Sequence, residues 1–292
     1  MKISHSDVDA TLLCARKGYY GGALNLQRKK LSQALNRGIA MHDILAYFFT
    51  HLKDNHGDYS GAREVAIARR NELAMQDPSM MEFAEQIVKM FDSFYSLGWF
   101  KGYKVLGVEE KMSINISDTL IYPFTVDLIL EDPGGNIAVV DHKTTYQFYA
   151  AHQIELSSQL PKYIGAMRVL GRRADYAIYH QLRYRTKKDY TVDDVIQLVK
   201  FTPSVPRIQT TFTEQIMIAR KIEVLRQYDI EEQSRQAIRT ANNLVCNSCS
   251  YKDLCIEELN GRPIDLMIEA LYEERGDRYL EIEDSSMLEI EG

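Results

Sequence analysis

The run from Thr125 to Thr145, TVDLILEDPGGNIAVVDHKTT, constrains this chain more than any other stretch. Two alternating apolar segments flank Pro133-Gly134-Gly135-Asn136, residues that supply the backbone angles of a tight reversal, so the run predicts a hairpin. A reversal centred on Gly134 sets Asp127 opposite Asp141, and period-2 alternation puts Lys143 on the same face. Carboxylates facing each other across a sheet repel, so the arrangement calls for a compensating cation: a hard divalent metal, the lysine, or both. A surface hairpin with a solvated Asp–Lys pair is the ordinary alternative, because Asp-x-Lys is a short and common pattern.

The four cysteines add a second constraint: Cys246, Cys249 and Cys255 form C-x2-C-x5-C in NLVCNSCSYKDLC, and Cys14 lies far upstream in TLLCARKGYY. Disulfides are disfavoured in a reducing compartment, and four thiols with none spare read as ligands of a metal or an iron–sulfur group. Arg16 and Lys17 beside Cys14 favour the thiolate that such a group requires.

Composition matters mainly for what it excludes. With 292 residues, 45% hydrophobic and 26% charged, the chain can bury a large core, and one large domain with appendages is expected. No stretch approaches the roughly 20 apolar residues of a membrane span, and the start lacks the apolar run of a signal peptide, so no membrane association and a cytoplasmic location are expected. A net charge of −6 argues against a protein coated in basic surface. Local clusters remain: Arg16, Lys17, Arg28, Lys29 and Lys30 early, and Arg183, Arg185, Lys187 and Lys188 late, each either a solvated loop or part of a basic groove.

Periodicity predicts a short helix from Ser4 to Lys17 carrying Cys14, then an apolar helix through Arg37 to Phe49 on which Gly38 and His42 share a face. His42 is either a packed residue or a ligand. Further helices fit Ala62 to Met75 and Ser79 to Leu97, the latter with Ser79 as N-cap and Glu82 completing a capping box. From Tyr103 the period changes to that of strands, where Glu110 is either an acid approaching the hairpin carboxylates or a solvated edge charge. A helix from Ser158 to Leu170 places Gln159 and Tyr163 one turn apart. Asp175 to Tyr184 reads as a strand, Val192 to Phe201 is open between helix and strand, and helices are expected from Thr213 to Ala241 and from Pro263 to Glu274, before an acidic tail expected to be disordered.

Taken together, Gly38-x3-His42, Val126-Asp127, Val140-Asp141-His142-Lys143-Thr144, Gln159-x3-Tyr163 and the split cysteines resemble the RecB-type branch of the PD-(D/E)xK nucleases. The pattern is most similar to the four-cysteine exonucleases of the CRISPR-associated Cas-four type and their phage relatives, and it spans Cys14 to Cys255. One departure is that the second acid is Asp141 where many members use Glu; a hard cation accepts either.

The resemblance implies an α/β, restriction-endonuclease-like nuclease core (101–210), a helical N-terminal region (1–100) and a C-terminal iron–sulfur lobe with an acidic tail (211–292). It implies that His42, Asp127, Asp141 and the His142 carbonyl bind Mg2+ or Mn2+, that Lys143 orients the attacking water or offsets charge on the phosphate, and that Gln159 and Tyr163 border the site. It further implies that Cys14, Cys246, Cys249 and Cys255 hold a [4Fe–4S] cluster, with zinc on the same thiolates as the rival. The implied activity is a metal-dependent DNA exonuclease on single-stranded ends with 5′-to-3′ polarity, in the cytoplasm of a bacterial, archaeal or phage-infected cell, with recombination or CRISPR adaptation proteins as partners. A non-catalytic DNA-binding subunit and a zinc-stapled regulator are the alternatives.

Overall fold

The structure is a computed structural model and describes residues 1–276. In chain order it contains α1 (His5–Leu13), α2 (Ala15–Gly18), β1 (Leu26–Arg28), α3 (Gln33–Asp54), α4 (Tyr59–Gln76), α5 (Ala84–Leu97), β2 (Lys104–Asn115), β3 (Ile121–Glu131), β4 (Ile137–Thr145) and α6 (Ala151–Leu156). There follow α7 (Gln159–Val169), β5 (Tyr176–Arg183), β6 (Ile196–Phe201), α8 (Val205–Leu225), α9 (Ile230–Gln236), α10 (Asn243–Asn247), α11 (Lys252–Leu259), α12 (Asp265–Leu271) and β7 (Tyr272–Glu274). The chain divides into two compact units built from non-contiguous segments. A sheet unit comprises Ser32–Lys111 and Thr125–Phe212, and a cysteine unit comprises Met1–Leu31, Met112–Phe124 and the chain from Thr213.

The main sheet is five-stranded and mixed, in the order β2-β3-β4-β5-β6. The β3–β4 hairpin pairs Leu128 with Val140 and Glu131 with Ile137, so the next position outward opposes Asp127 and Asp141, as the turn predicts. Strands β4 and β5 run parallel, with α6 and α7 forming the crossover that parallel strands require. β5 is buried along nearly its whole length, as expected of a strand paired on both sides.

In the sheet unit, the apolar stripe of α3 (Met41, Ile44, Leu45, Phe48, Leu52) recurs at helical spacing and packs with Ile87, Met90, Phe91 and Phe94 of α5 against Leu128, Leu130, Val140 and Ile178. Each such side chain contributes about 1.5–3 kcal/mol on burial. Helix α7 lies close to α8 because Gly165 has no side chain: a Cβ there would come within 3.2 Å of Phe212.

Several local expectations are corrected. The first helix ends at Leu13 because Cys14 is extended (φ −167°, ψ 117°), although Ser4 and Asp7 form a reciprocal capping box at its start. The Ser79–Glu82 box does not form. Asp77 caps a 3-10 turn over Pro78–Phe83, for which proline's fixed φ is suited, and the α-helix begins at Ala84. The helix expected from Thr213 to Ala241 stops at Leu225 and restarts at Ile230, where the Asp229 side chain accepts from the Glu232 N–H. Residues 192–201 resolve into a 3-10 turn and β6. The final helix stops at Leu271, and Tyr272–Glu274 pair antiparallel with Leu26–Arg28. The acidic tail beyond Gly276 lies outside the described residues.

Candidate active site

Two groups of side chains meet where β3 and β4 run side by side. In the first, His42 of α3, Glu109 of β2 and Asp127 of β3 each offer a ligand atom, and these atoms all lie within 4.8 Å of one another. His42 Nδ1 is 3.6 Å from Asp127 Oδ2 and 3.8 Å from Glu109 Oε1, while its Nε2–H donates to the His142 carbonyl at 2.7 Å. The same Asp127 oxygen accepts the His142 backbone N–H at 2.8 Å, locking this carboxylate to the neighbouring strand.

The second group centres on Asp141. Its Oδ1 accepts from Lys143 Nζ at 2.9 Å and from Gln159 Nε2 at 2.8 Å, and Gln159 Nε2 also reaches the Tyr163 hydroxyl at 3.0 Å. Asp141 Oδ2 is buried and lies 2.9 Å from the same ammonium, yet it accepts no hydrogen bond. A buried carboxylate oxygen that accepts no hydrogen bond is donor chemistry that a hard divalent cation accepts, as is the His42–Glu109–Asp127 group, which Asp141 does not join within 4.8 Å. The residues present therefore fit Mg2+ or Mn2+.

The electrostatics are those of a crowded acidic site. Burial opposes charge on His42, but Glu109, Asp127 and Asp141 outweigh it and lift the imidazole to about 9. Burial raises Asp127 and Asp141 above the ordinary carboxylate range; His42 opposes this at Asp127 and Lys143 opposes it at Asp141. Lys143 is pushed up to about 12 because Asp141 and Asp127 overcome its burial. The imidazole proton supplies one positive charge against these carboxylates, and it is this proton that a divalent cation would displace for His42 to act as a ligand.

The His142 side chain points away from these groups. It stacks on Phe49 with ring centroids 5.6 Å apart, and its Nδ1 meets His180 Nδ1 of the adjacent strand at 2.8 Å. Burial holds both imidazoles neutral, His142 well below its ordinary value and His180 at about 3.

Sequence reasoning missed Glu109 and considered Glu110 instead. Glu110 pairs with Arg172, and it is Glu109 that joins His42 and Asp127. The cause is local: Glu109 sits at φ 44° inside β2, a left-handed conformation that breaks strict alternation, as a β-bulge does.

All four cysteines lie in the cysteine unit, half-buried and free of disulfides. The Thr240 N–H donates to Cys14 Sγ at 3.5 Å and Arg239 Nε to Cys255 Sγ at 3.1 Å. Burial works against a thiolate at Cys14, but backbone donors of Thr240, Lys17 and Arg16 outweigh it and hold the thiol below its ordinary value. Cys249 is raised by burial and feels both Cys14 and Cys255, with Lys17 acting in the opposite sense. Among the described residues no three cysteine sulfurs lie within 4.8 Å of one another. The four thiols are thus free, and two of them receive N–H donors.

The family model for the PD-(D/E)XK nuclease superfamily matches residues 2–256. The chain belongs to that superfamily, whose members carry out metal-dependent nucleic-acid hydrolysis, and the mixed α/β sheet with its acidic group agrees with this class. Among solved structures, one described as the crystal structure of SSO0001 is 12% identical, covers 82% of this chain and 93% of its own, and superposes with a TM-score of 0.35. No curated protein matches the chain. No helix among the described residues is long and apolar enough to cross a membrane.

Proposed function

We propose that the chain is a Mn2+- or Mg2+-dependent DNA exonuclease acting on single-stranded ends with 5′-to-3′ polarity, in recombination, repair or CRISPR-type end processing. The observation that carries this reading is the convergence of the His42–Glu109–Asp127 group with the Asp141–Lys143–Gln159 chain on one end of the β3–β4 hairpin. Polarity and the preference for single strands come from the resemblance to the four-cysteine exonucleases.

In this reading His42, Glu109, Asp127 and Asp141 hold the cation, with the His142 carbonyl as the backbone oxygen of the set; the imidazole tilts the preference towards manganese. A divalent cation so held polarises a phosphoryl oxygen and acidifies water. Lys143, fixed against Asp141, presents its ammonium to the charge that develops on the phosphate. Gln159 links Asp141 to Tyr163 and so holds the carboxylate in one rotamer, which makes it a positioning residue. Cys14, Cys246, Cys249 and Cys255 hold a [4Fe–4S] cluster whose role is to staple the cysteine unit.

The test is to strip the protein of divalent metal, add end-labelled linear single strands, linear duplex and circular single strands, and restore Mn2+ or Mg2+. Linear single strands should shorten from the 5′ end while circles persist. Absence of cleavage with either metal would overturn the nuclease reading. For the cluster, anaerobically purified protein should be brown and contain stoichiometric iron and sulfide; stoichiometric zinc without iron would overturn that assignment.

A further inference from the structure

On a chain with a net charge of −6, cations without acidic partners stand out, and three of those in the sheet unit, Arg37, Lys89 and Arg185, meet tyrosines past the C-terminal ends of β4 and β5. These strands are parallel and in register at Thr145 and Arg183, and the Tyr184 N–H continues the pairing to the Thr145 carbonyl at 3.1 Å. Tyr146 and Tyr184 therefore emerge side by side, with ring centroids 6.0 Å apart.

Each ring carries a cation. Arg37 lies 3.8 Å over Tyr184, and Arg185 lies 4.8 Å over Tyr146 and donates to its hydroxyl. Lys89 lies 5.4 Å over Tyr190 and is anchored to the Tyr184 carbonyl at 2.7 Å and to Thr186 Oγ1 at 2.9 Å. Among the described residues no carboxylate lies within ion-pair distance of Arg37, Lys89 or Arg185, and Arg37 Nε and Nη1 are buried without a hydrogen-bond partner. Arg183 is not counted, because it is committed to Asp194 at 3.4 Å.

Cation–π pairs can serve simply to order a loop. Here, however, the rings stay open to solvent: Tyr146 is 48% exposed and Tyr190 43%. Exposed aromatic faces interleaved with uncompensated cations match what a flexible single strand needs, since bases stack on the rings and the backbone follows the charge. Continuous duplex offers no unstacked base and gains only the charge. Tyr146 lies three residues beyond Lys143, about 10 Å along the chain from the candidate active site.

We infer that the surface formed by Tyr146, Tyr184 and Tyr190 with Arg37, Lys89 and Arg185 is a binding track for single-stranded DNA. The inference rests on the nuclease reading for its substrate and gives that reading the residues of strand selection. Tyr146 and Tyr190 stack on bases, Arg185 and Lys89 meet phosphates, and Arg37 fixes Tyr184 from beneath.

Binding is measured by fluorescence anisotropy on the full-length chain in EDTA, so that no turnover is needed, with a labelled single strand and an end-capped duplex of the same sequence. The double variant Tyr146→Ala, Arg185→Gln should bind the single strand at least tenfold more weakly, with duplex affinity changed less than threefold. Arg185→Gln alone should reduce the salt slope for the single strand by about 0.7. Tyr146→Phe, which keeps the stacking face, should retain most of the affinity. Unchanged single-strand affinity in a double variant with native melting behaviour, or an equal loss on both DNAs, overturns the track. A wild-type protein that cleaves with Mn2+ while the variants bind normally removes the track and leaves the nuclease reading standing. A wild-type protein that cuts nothing while the variants lose single-strand affinity removes the nuclease reading and supports the track.

Discussion

The sheet unit and the cysteine unit solve the same problem, holding chemically demanding side chains in place, by different means. In the sheet unit a large core under α3 and α5 fixes the strands, and the candidate active-site residues already bond one another: His42 to the His142 carbonyl, Asp127 to a backbone N–H, Asp141 to Lys143 and Gln159. In the cysteine unit the core that packs against Cys255 is small, Tyr19, Tyr20, Leu26, Ala237, Leu254 and Tyr272, while Ile3, Val8, Ile114, Leu120 and Ala219 are buried elsewhere in the same unit, and helices α10 and α11 are short. Its polar ties converge on Glu258, which accepts from Arg16 at 3.3 Å, from Tyr20 at 2.8 Å and from Arg239. Where burial is ample, the fold can pre-pay for a charged site. Where it is sparse, short helices gain most from a covalent or metal staple.

Four measurements would break or sharpen this contrast. The largest effect is expected at Lys143. Lys143→Ala should lower kcat about 100- to 1,000-fold, as loss of one transition-state donor does, while calorimetric Mn2+ affinity stays within about threefold. Normal turnover at saturating metal in that variant would remove the lysine from the chemistry. Asp141→Asn is preferred to Asp141→Ala for the companion experiment, because truncation also strands the half-buried Lys143 ammonium and would mix folding loss into the rate.

Next come the ligands. His42→Ala and Glu109→Gln should each weaken Mn2+ binding about 10- to 100-fold, with cleavage partly recovered by excess metal. If Glu109→Gln binds Mn2+ normally, the bulged residue is outside the metal set, and the site reduces to the residues visible in the sequence.

A smaller effect is expected in the cysteine unit. Cys14→Ser should lower its melting temperature by at least about 5 °C, roughly 2 kcal/mol for a chain of this size, with the sheet unit's transition and its Mn2+ binding retained. A melting curve indistinguishable from wild type would show that the small core and the Glu258 ties suffice without a staple.

The smallest effect is in pH dependence. Below about pH 6.5 the unfolded chain protonates His142 and His180, while burial keeps both neutral in the fold. The unfolded state then binds more protons, so this contribution is fully present above about pH 6.5 and is lost as pH falls, for His180 until about 3. In EDTA, urea unfolding should show stability declining between about pH 6.5 and 5, with a slope approaching about 1.4 kcal/mol per unit for each fully buried ring. His180→Gln should flatten the slope; an identical slope would mean that the pair opens to solvent and is not held neutral.

How much of this molecule was legible in its sequence follows from the range of the forces involved. The β3–β4 hairpin and its Asp127–Asp141 register could be read directly, because turn residues and period-2 alternation act within a few residues of each other. The Gln159–Tyr163 contact was legible for the same reason, helical spacing being local. Helix limits at Ser79 and Leu225 were not, since Asp77 caps in place of the expected Ser79 and Asp229 caps a new helix inside the stretch read as continuous, through single side-chain bonds that depend on the exact path of the chain. Glu109 could not be distinguished from Glu110, because a left-handed residue within a strand is paid for by the packing around it. The track past β4 and β5 joins residues 37, 89, 146 and 185, and only pairing of parallel strands through a crossover brings segments so distant in the chain onto one surface. Local chemistry thus determined which residues could act, and long-range packing decided which of them meet.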